Sequence, residues 1–477
     1  MEMLLGGKKV GARDGKVIEV YNPATGELVD TVPSAAKEDI EKAIDFAQEG
    51  KVEWAQTPLY KRCDILKKFA DLIAEKREEL AMMLCKETGK SLKDGRAEMA
   101  RIDLMARGYA ERAHHLYSDV LSDAQPGMEN DYFITKREPL GVVLCVVPYN
   151  FPVSLYTQKV APALAMGNAV IIKPASDTPL TNIRLTELLL EAGVPGNAAQ
   201  IVTGKGSTVG NYMVSSPKID AVTLTGSTEV GISIAETAAK HLHHVHLELG
   251  GNDAFIVLED ADLEAAVNDV AISRSMNAGQ TCAAAKRMIV HNKIKDRFAE
   301  MLVEKLNKIC VGDTSDPATD IGCLINEKAA IEVEKQVQYT IDQGAKCILG
   351  GQRFNKTFFP MTVLVDVTPE MDVSKDMEIF GPVFPIIGFD TDQEAIAIAN
   401  SSMYGLMSGI MSNDCKRAMK IAAKMESGGV VVGGTGNYRP PEFPFGGYKM
   451  SGLGREGISA TLEEMSQLRT IVLKGFR

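Results

Sequence analysis

Between residues 36 and 118, apolar side chains recur every three or four positions, as in "DILKKFADLIAEKREELAMMLCKETGK". That period places them on one face of a helix, and "GK" reads as a stop. Met82, Met83 and the neighbouring leucines are expected to form a core stripe. From 140 to 260 the pattern changes to short β-rich runs: "GVVLCVVP", "AVIIKPA", "AAQIVTG", "AVTLTGS", "VHLELGG" and "DAFIVL". Helical segments such as "TNIRLTELLLEAG" and "VGISIAETAAKHL" stand between several of them. Strands alternating with helices imply βαβ units and a parallel sheet, which binds ligands beyond the carboxyl ends of its strands. A second α/β pattern runs from about 253 to 445, with strands "KRMIVH", "AKCILGG" and "GGVVVGG". Two lobes with a cleft between them suit a two-substrate enzyme. Two stretches stand apart, "DYFITKREPL" at 131–140 and "QLRTIVLKG" at 467–475. Each reads as an edge strand able to pair with another subunit. The uncharged run "LGVVLCVVPYNFPVSLYTQ", 140–158, contains prolines and amides. It is expected to be a buried strand plus a loop, not a membrane span.

Composition narrows the class. A chain of 477 residues has room for two or three domains, and 45% hydrophobic with 24% charged residues is ordinary for globular proteins. A net charge of −11 argues against nucleic acid and anionic membranes as partners. The start, "MEMLLGGKKVGARDGK", lacks the apolar core of a signal peptide, so a cytoplasmic location is expected. Eight cysteines are scattered without a CxxC pair, which fits neither a disulfide framework nor a zinc knuckle. Most are expected to be small buried apolar residues. "HLHHVH" gathers His241, His243, His244 and His246, but unevenly and without carboxylates at ligand spacing, so no metal is expected.

Several stretches carry candidate chemistry. "NAGQTCAAAKRM", 277–288, surrounds Cys282 with small residues, where a core would normally put large apolar ones. "VTLTGSTEVG", 222–231, ends a strand at Gly226 and starts a helix behind Ser227 and Thr228, both good N-caps. Such a helix start holds a phosphate or is an ordinary capped turn. "VTGKGSTVG" contains Gly204, Gly206 and Gly210 but lacks the GxGxxG spacing. In "VVPYNFP", Asn150 offers an amide N–H to an oxyanion or simply forms a turn between prolines. In "HLELGGND", Glu248 at a strand end is a general base or a solvated edge glutamate.

Taken in order, "PYNFP", "GNAVIIKPA", "TGSTEVG", "LELGGN", "GQTC", "EIFGPV" and "PFGGYKMSGLGRE" resemble the aldehyde dehydrogenase superfamily over almost the whole chain. The resemblance implies an α/β fold with three parts. A Rossmann-like dinucleotide-binding domain would span 1–123 and 140–248, and a catalytic domain 249–445. A small β element at 124–139 and 446–477 would make a homodimer or homotetramer. Cys282 would be the nucleophile, attacking the aldehyde to give a thiohemiacetal and, after hydride loss, a thioester. Its backbone N–H and the Asn150 side chain would hold the oxyanion. Glu248 would activate the hydrolytic water. Members that pass the acyl group to coenzyme A generally lack this glutamate, so a free acid is the expected product. Coenzyme A acylation, or a binding protein retaining the fold, are the alternatives.

The cofactor residues carry over in the same way. Lys173 resembles the lysine at the adenine ribose. Gly206, Gly210, Gly226, Ser227 and Val230 match the loops around adenosine and pyrophosphate. Val147, Pro148, Tyr149 and Leu249 border the cofactor, and Glu378 and Phe380 match the residues at the nicotinamide ribose and ring. NAD-preferring members often have glutamate where Ser176 stands. Serine removes that charge and leaves Lys173 to pair with a 2′-phosphate, so NADP is expected to be preferred over NAD. Tyr156, Gln158, Thr281 and Arg439 are expected to border the aldehyde tunnel. "NYRPPEFPFGG" resembles the lactaldehyde and NADP-dependent glyceraldehyde-3-phosphate branches. Succinate-semialdehyde enzymes tend to have arginine at Gln158, and the glyceraldehyde-phosphate enzymes at Thr281. A small polar, hydroxylated or anionic aldehyde is therefore expected.

Overall fold

Helices Lys37–Gln56, Leu59–Glu75, Arg77–Thr88 and Leu92–Ala113 fill the stretch with helical spacing in the computed structural model, which describes residues 1–116, 118–122 and 125–476. Leu66, Phe69, Ile73, Leu80 and Leu84 are fully buried there, while Met82 and Met83 are partly buried at the flank of the same core.

Five parallel strands form the centre of the first sheet: Ala199–Ile201, Ala169–Lys173, Val142–Val146, Ala221–Thr225 and His244–Glu248. Their near-continuous apolar runs follow from burial on both faces. The antiparallel pair Met3–Leu5 and Lys8–Val10 extends one edge, and Gly452–Leu453 closes the other against His244–Glu248. The second sheet runs Lys346–Leu349, Thr362–Val367, Val383–Phe389, Arg287–His291, Ala254–Val257, Met407–Met411, Gly429–Val432, parallel except for its first strand.

The two detached segments pair with each other. Ser466–Leu473 lies antiparallel to Tyr132–Pro139, in register from Ser466 opposite Pro139 to Leu473 opposite Tyr132. Val120–Ser122 adds a third strand. This small sheet thus draws a strand from the stretch assigned to 1–123, and Gly452–Leu453 from 446–477 belongs to the first sheet. Residues 123 and 124, at the assigned boundary, lie outside the described residues.

The run 140–158 is a strand, a short loop and then a helix, Pro152–Ala165, rather than strand and loop alone. Pro152 sits at the first helical position, where its missing N–H costs nothing. Of the cysteines, Cys63, Cys85, Cys145 and Cys323 are buried, Cys310 and Cys415 are exposed, and all eight are free thiols. The histidines of "HLHHVH" have protein partners: His243 bonds the Val214 carbonyl at 3.1 Å, His244 bonds Glu464 at 3.1 Å and His246 bonds Thr223 at 3.1 Å. No helix among the described residues is long and apolar enough to cross a membrane.

Candidate active site

Cys282 follows a turn with unusual backbone. Asn277, Ala278 and Gly279 are all left-handed, at φ 53°, 54° and 76°. For the two non-glycine residues this conformation is strained, at roughly 1–3 kcal/mol each. Surrounding bonds hold it. The Asn277 N–H donates to Asp94 Oδ2 at 2.9 Å, and its side-chain amide donates to the Asn150 carbonyl at 2.8 Å. Buried Arg274 donates to the carbonyls of Gly279 at 3.2 Å and Val383 at 2.8 Å. A Cβ on Gly279 would lie 2.2 Å from the Gly381 carbonyl oxygen. Ala283, beyond Cys282, packs among Leu406, Met407 and Phe445. Backbone contact before the thiol and side-chain packing after it thus favour small residues at Gly279 and Ala283.

The thiol opens on a cavity of about 110 Å³. Helix Leu92–Ala113 contributes Arg101, Met105 and Tyr109, four residues apart and so on one helical face. Phe151, Ser154, Leu155 and Gln158 line it at the i, i+3, i+4, i+7 positions of helix Pro152–Ala165 and the residue before it. Met276, Thr281 and the loop from Asn437 to Phe443 complete much of the wall. Gln158, Thr281 and Arg439 are thus brought together.

Tyr156 is not at the cavity. It is fully buried, with its hydroxyl 2.9 Å from Thr186 Oγ1. The reason is the period. In a strand Tyr156 and Gln158 would share a face, but on a helix they lie about 200° apart. Arg101 was missed because it sits in a stretch whose spacing already reads as core stripe.

Arg439 is largely engaged. Its guanidinium pairs with Glu456, donates to Gln158 Oε1 at 2.7 Å and lies 3.9 Å over the Phe445 ring. Arg101 forms no ion pair among the described residues. It is exposed at the mouth, the better placed of the two to meet a substrate anion.

Asn150 ends the loop after strand Val142–Val146. Its side-chain amide donates to the Gln280 carbonyl at 3.1 Å, which ties it to the nucleophile turn. Behind it, Lys90 Nζ donates to the Asn150 carbonyl at 3.0 Å and to Glu98 Oε2 at 2.5 Å, a fully buried ion pair. Glu98 Oε1 accepts the N–H groups of Val153 at 3.1 Å and Ser154 at 3.0 Å.

Glu248 is the last residue of its strand and is buried, and neither carboxyl oxygen has a hydrogen-bond partner among the described residues. Burial, with Glu456 nearby, pushes its pKa up to about 8. Burial also pushes the Cys282 thiol up, reinforced by Glu248 and opposed by Arg439 and Lys286. Glu456 is itself held down to about 2: burial would raise it, but Lys159 at 2.9 Å and Arg439 outweigh that. Cys282 lines the cavity, while Asn150 is bonded to the turn before it and the charge of Glu248 acts on the thiol; neither of these two residues lines the cavity itself. A thiol, a carboxyl and an amide donor so grouped can perform nucleophilic acyl chemistry with general-base hydrolysis.

Most of the residues expected at a cofactor gather at one edge of the first sheet. Val147, Pro148 and Tyr149 follow strand Val142–Val146, Lys173 ends Ala169–Lys173, Gly226 and Ser227 follow Ala221–Thr225, and Leu249 follows His244–Glu248. All lie at carboxyl ends of parallel strands. Ser227 Oγ accepts the Val230 N–H at 3.4 Å, capping helix Thr228–Ala239, whose free N–H groups suit a phosphate. Val230 is exposed, and Cβ atoms on Gly206 or Gly210 would meet nothing within 4 Å. A Cβ on Gly231 would lie 2.4 Å from Leu249 Cδ2, so helix and strand end are closely packed. Across the cleft, Glu378 Oε1 accepts the Gly251 N–H at 3.4 Å, and Phe380 meets Tyr149 edge-on at 6.4 Å. Lys173 Nζ donates to the Pro174 carbonyl at 2.6 Å, and burial lowers its pKa to about 8. Ser176 Oγ donates to the Gly204 carbonyl at 3.1 Å, so its proton is committed to the backbone rather than free for a phosphate.

Fold and site together define a two-lobed dehydrogenase with a thiol between its lobes. The profile of the Aldehyde dehydrogenase family matches residues 10–471, and the chain belongs to that family. It is 39% identical over 98% of its length to succinate-semialdehyde dehydrogenase, mitochondrial, of Arabidopsis thaliana, covering 88% of that protein. It is 39% identical over 96% of its length to 3-sulfolactaldehyde dehydrogenase of Priestia megaterium, covering 94% of that protein. A crystal structure of an E. coli NADP-dependent enzyme superposes with a TM-score of 0.96 at 36% identity, covering 99% of this chain and 98% of that one. The chain is an NAD(P)-dependent aldehyde dehydrogenase, an oxidoreductase acting on aldehydes with NAD(P)+.

Proposed function

We propose that this enzyme oxidises a small aldehyde with an anionic far end to the free acid, through Cys282 and with NADP preferred. The observation that carries the reading is Arg101, exposed at the mouth of the cavity whose wall holds Cys282. A carboxylate or sulfonate held there would set the carbonyl toward the thiol. The similarity to enzymes named for succinate semialdehyde and 3-sulfolactaldehyde supports an anionic substrate.

The chemistry follows from the side chains. The Cys282 thiolate adds to the carbonyl carbon, and the oxyanion is held by the Asn150 amide and the Cys282 N–H. Bound NAD(P)+ supplies a hydride acceptor. The thioester left on Cys282 is hydrolysed by water whose proton Glu248 takes. Burial and the charge of Glu456 raise the pKa of that carboxyl, and the charges of Arg439 and Lys159 lower it. The NADP preference rests on the missing carboxylate at Ser176 and on Lys173, and on the NADP-dependent neighbour. Two sheet segments, Ser466–Leu473 and Tyr132–Pro139, would build a homodimer or homotetramer.

The test is a matrix of aldehydes against NAD and NADP, read as reduced-nicotinamide absorbance. Arg101→Ala is expected to raise KM for succinate semialdehyde by about tenfold or more, the worth of a charge-assisted bond, and to leave KM for butanal unchanged. Equal effects on both aldehydes would remove the anion role. A much higher kcat/KM with NAD than with NADP would overturn the cofactor preference.

A further inference from the structure

Lys286 has no part in the chemistry above, yet its side chain is 1% exposed beside the nucleophile turn. Its backbone N–H donates to the Asp253 carbonyl at 3.0 Å, as does that of Arg287, where strand Arg287–His291 begins. From there the side chain turns back. Its ammonium donates to the carbonyl oxygen of Cys282 itself and stands 3.1 Å from Glu378 Oε1. Glu378 comes from the other side of the cleft, among the residues expected at the nicotinamide ribose. Cβ atoms on Gly250 and Gly251 would crowd the same loop, the first 2.7 Å from Glu378 Oε2.

A buried ammonium is costly unless paired, by several kcal/mol. A lysine serving only as packing would be better replaced by an apolar side chain. Here its donors go to the two elements that must act together, the nucleophile and the cofactor-side carboxylate. We propose that Lys286 is a positioning residue that fastens the Cys282 carbonyl to Glu378 and thereby sets both thiol reactivity and cofactor grip.

The charges facing Cys282 are Glu248 and Asp253, which oppose ionisation, and Arg439 and Lys286, which favour it. Asp253 has Oδ1 on the Met407 N–H at 3.2 Å and Oδ2 without a partner among the described residues. Burial pushes its pKa up to about 7, against the charge of Lys286. Removing Lys286 therefore leaves Cys282 facing two carboxyls with one fewer counter-charge.

The inference rests on Cys282 as nucleophile, and loss of turnover in Cys282→Ala tests that separately. The experiment for Lys286 needs no substrate. Iodoacetamide alkylation of Cys282 is followed against pH by mass spectrometry of its peptide, because Cys310 and Cys415 are exposed and Cys347, like Cys282, is half-buried. In Lys286→Met the midpoint is expected to rise by about one pH unit, which makes alkylation about tenfold slower below it. NADPH and NADH, titrated by nicotinamide fluorescence, should bind severalfold more weakly. Lys286→Arg keeps the charge and should restore most of the midpoint. A Met variant that melts lower but keeps the wild-type midpoint and cofactor affinity would show a packing lysine and overturn the proposal.

Discussion

Glu248 is a carboxyl waiting for a proton partner. It is buried and unpartnered among the described residues, with its pKa raised to about 8 by burial and Glu456. Only its ionised form can take a proton from water, so hydrolysis of the thioester should rise with pH through about 8. Glu248→Gln should remove that limb and lower kcat by about 10²–10⁴-fold, while the first turnover still reduces cofactor. Stopped-flow absorbance would then show a burst of reduced nicotinamide, stoichiometric with Cys282, followed by near silence. A variant with full steady-state rate would take Glu248 out of the reaction. Cys282, Glu248 and Asn150 could be singled out in the sequence because each sits in a short motif that resembles the family's, and the structure adds that Glu248 is buried rather than a solvated edge residue and that Asn150 is bonded to the turn before Cys282. Arg101 was not, since an arginine four residues before Met105 and eight before Tyr109 looks like a cation at the rim of a core stripe. Lys286 was not either, because its burial depends on Glu378, far along the chain.

At the scale of elements, helix Leu92–Ala113 is more than a core stripe. It carries Glu98 to Lys90, and Lys90 to the Asn150 carbonyl. The same Glu98 receives the first N–H groups of helix Pro152–Ala165, so one carboxylate fixes both the Asn150 loop, through Lys90, and the helix after it. Glu98→Gln keeps an acceptor for those N–H groups but takes from buried Lys90 its ion-pair partner. Breaking such a pair costs about 3–5 kcal/mol of stability. Loosening Asn150 should also lower kcat by about 10²-fold, with cofactor affinity unchanged. Thermal melts and cofactor titration check both halves. A stable variant with wild-type kcat would show that the pair does not position Asn150. The alternation of strands and helices made the two lobes readable, but helix Pro152–Ala165 was hidden. Nearly all of its residues are buried, the polar Thr157 and Lys159 included, so no apolar stripe with a helical period marks it, and its prolines argue against a helix. Tyr156 was misplaced with it.

At the scale of the molecule, the small sheet is left open. Strand Ser466–Leu473 lies at its edge, paired on one side only, with Leu468, Ile471 and Val472 exposed. Val120 and Leu121, on the opposite edge strand, are exposed as well. A long edge strand with apolar side chains is a template for pairing, and a stable protein covers it. The sequence marked both segments as edges but could not show that they pair with each other, since that register joins residues more than three hundred positions apart. A second copy of the chain is the expected cover. Light scattering should give a dimer or tetramer, and Leu468→Asp with Ile471→Asp should shift it to monomer. Because assembly stabilises by mass action, the melting temperature of the wild type should rise with protein concentration and that of the variant should not. The turn that carries Cys282 is held by bonds within its own chain, from Asp94 and Asn150, so the monomeric variant should still alkylate at Cys282 and bind cofactor when freshly prepared. If the double variant keeps the wild-type mass, the assembly is built on another face, and the open sheet needs a different cover.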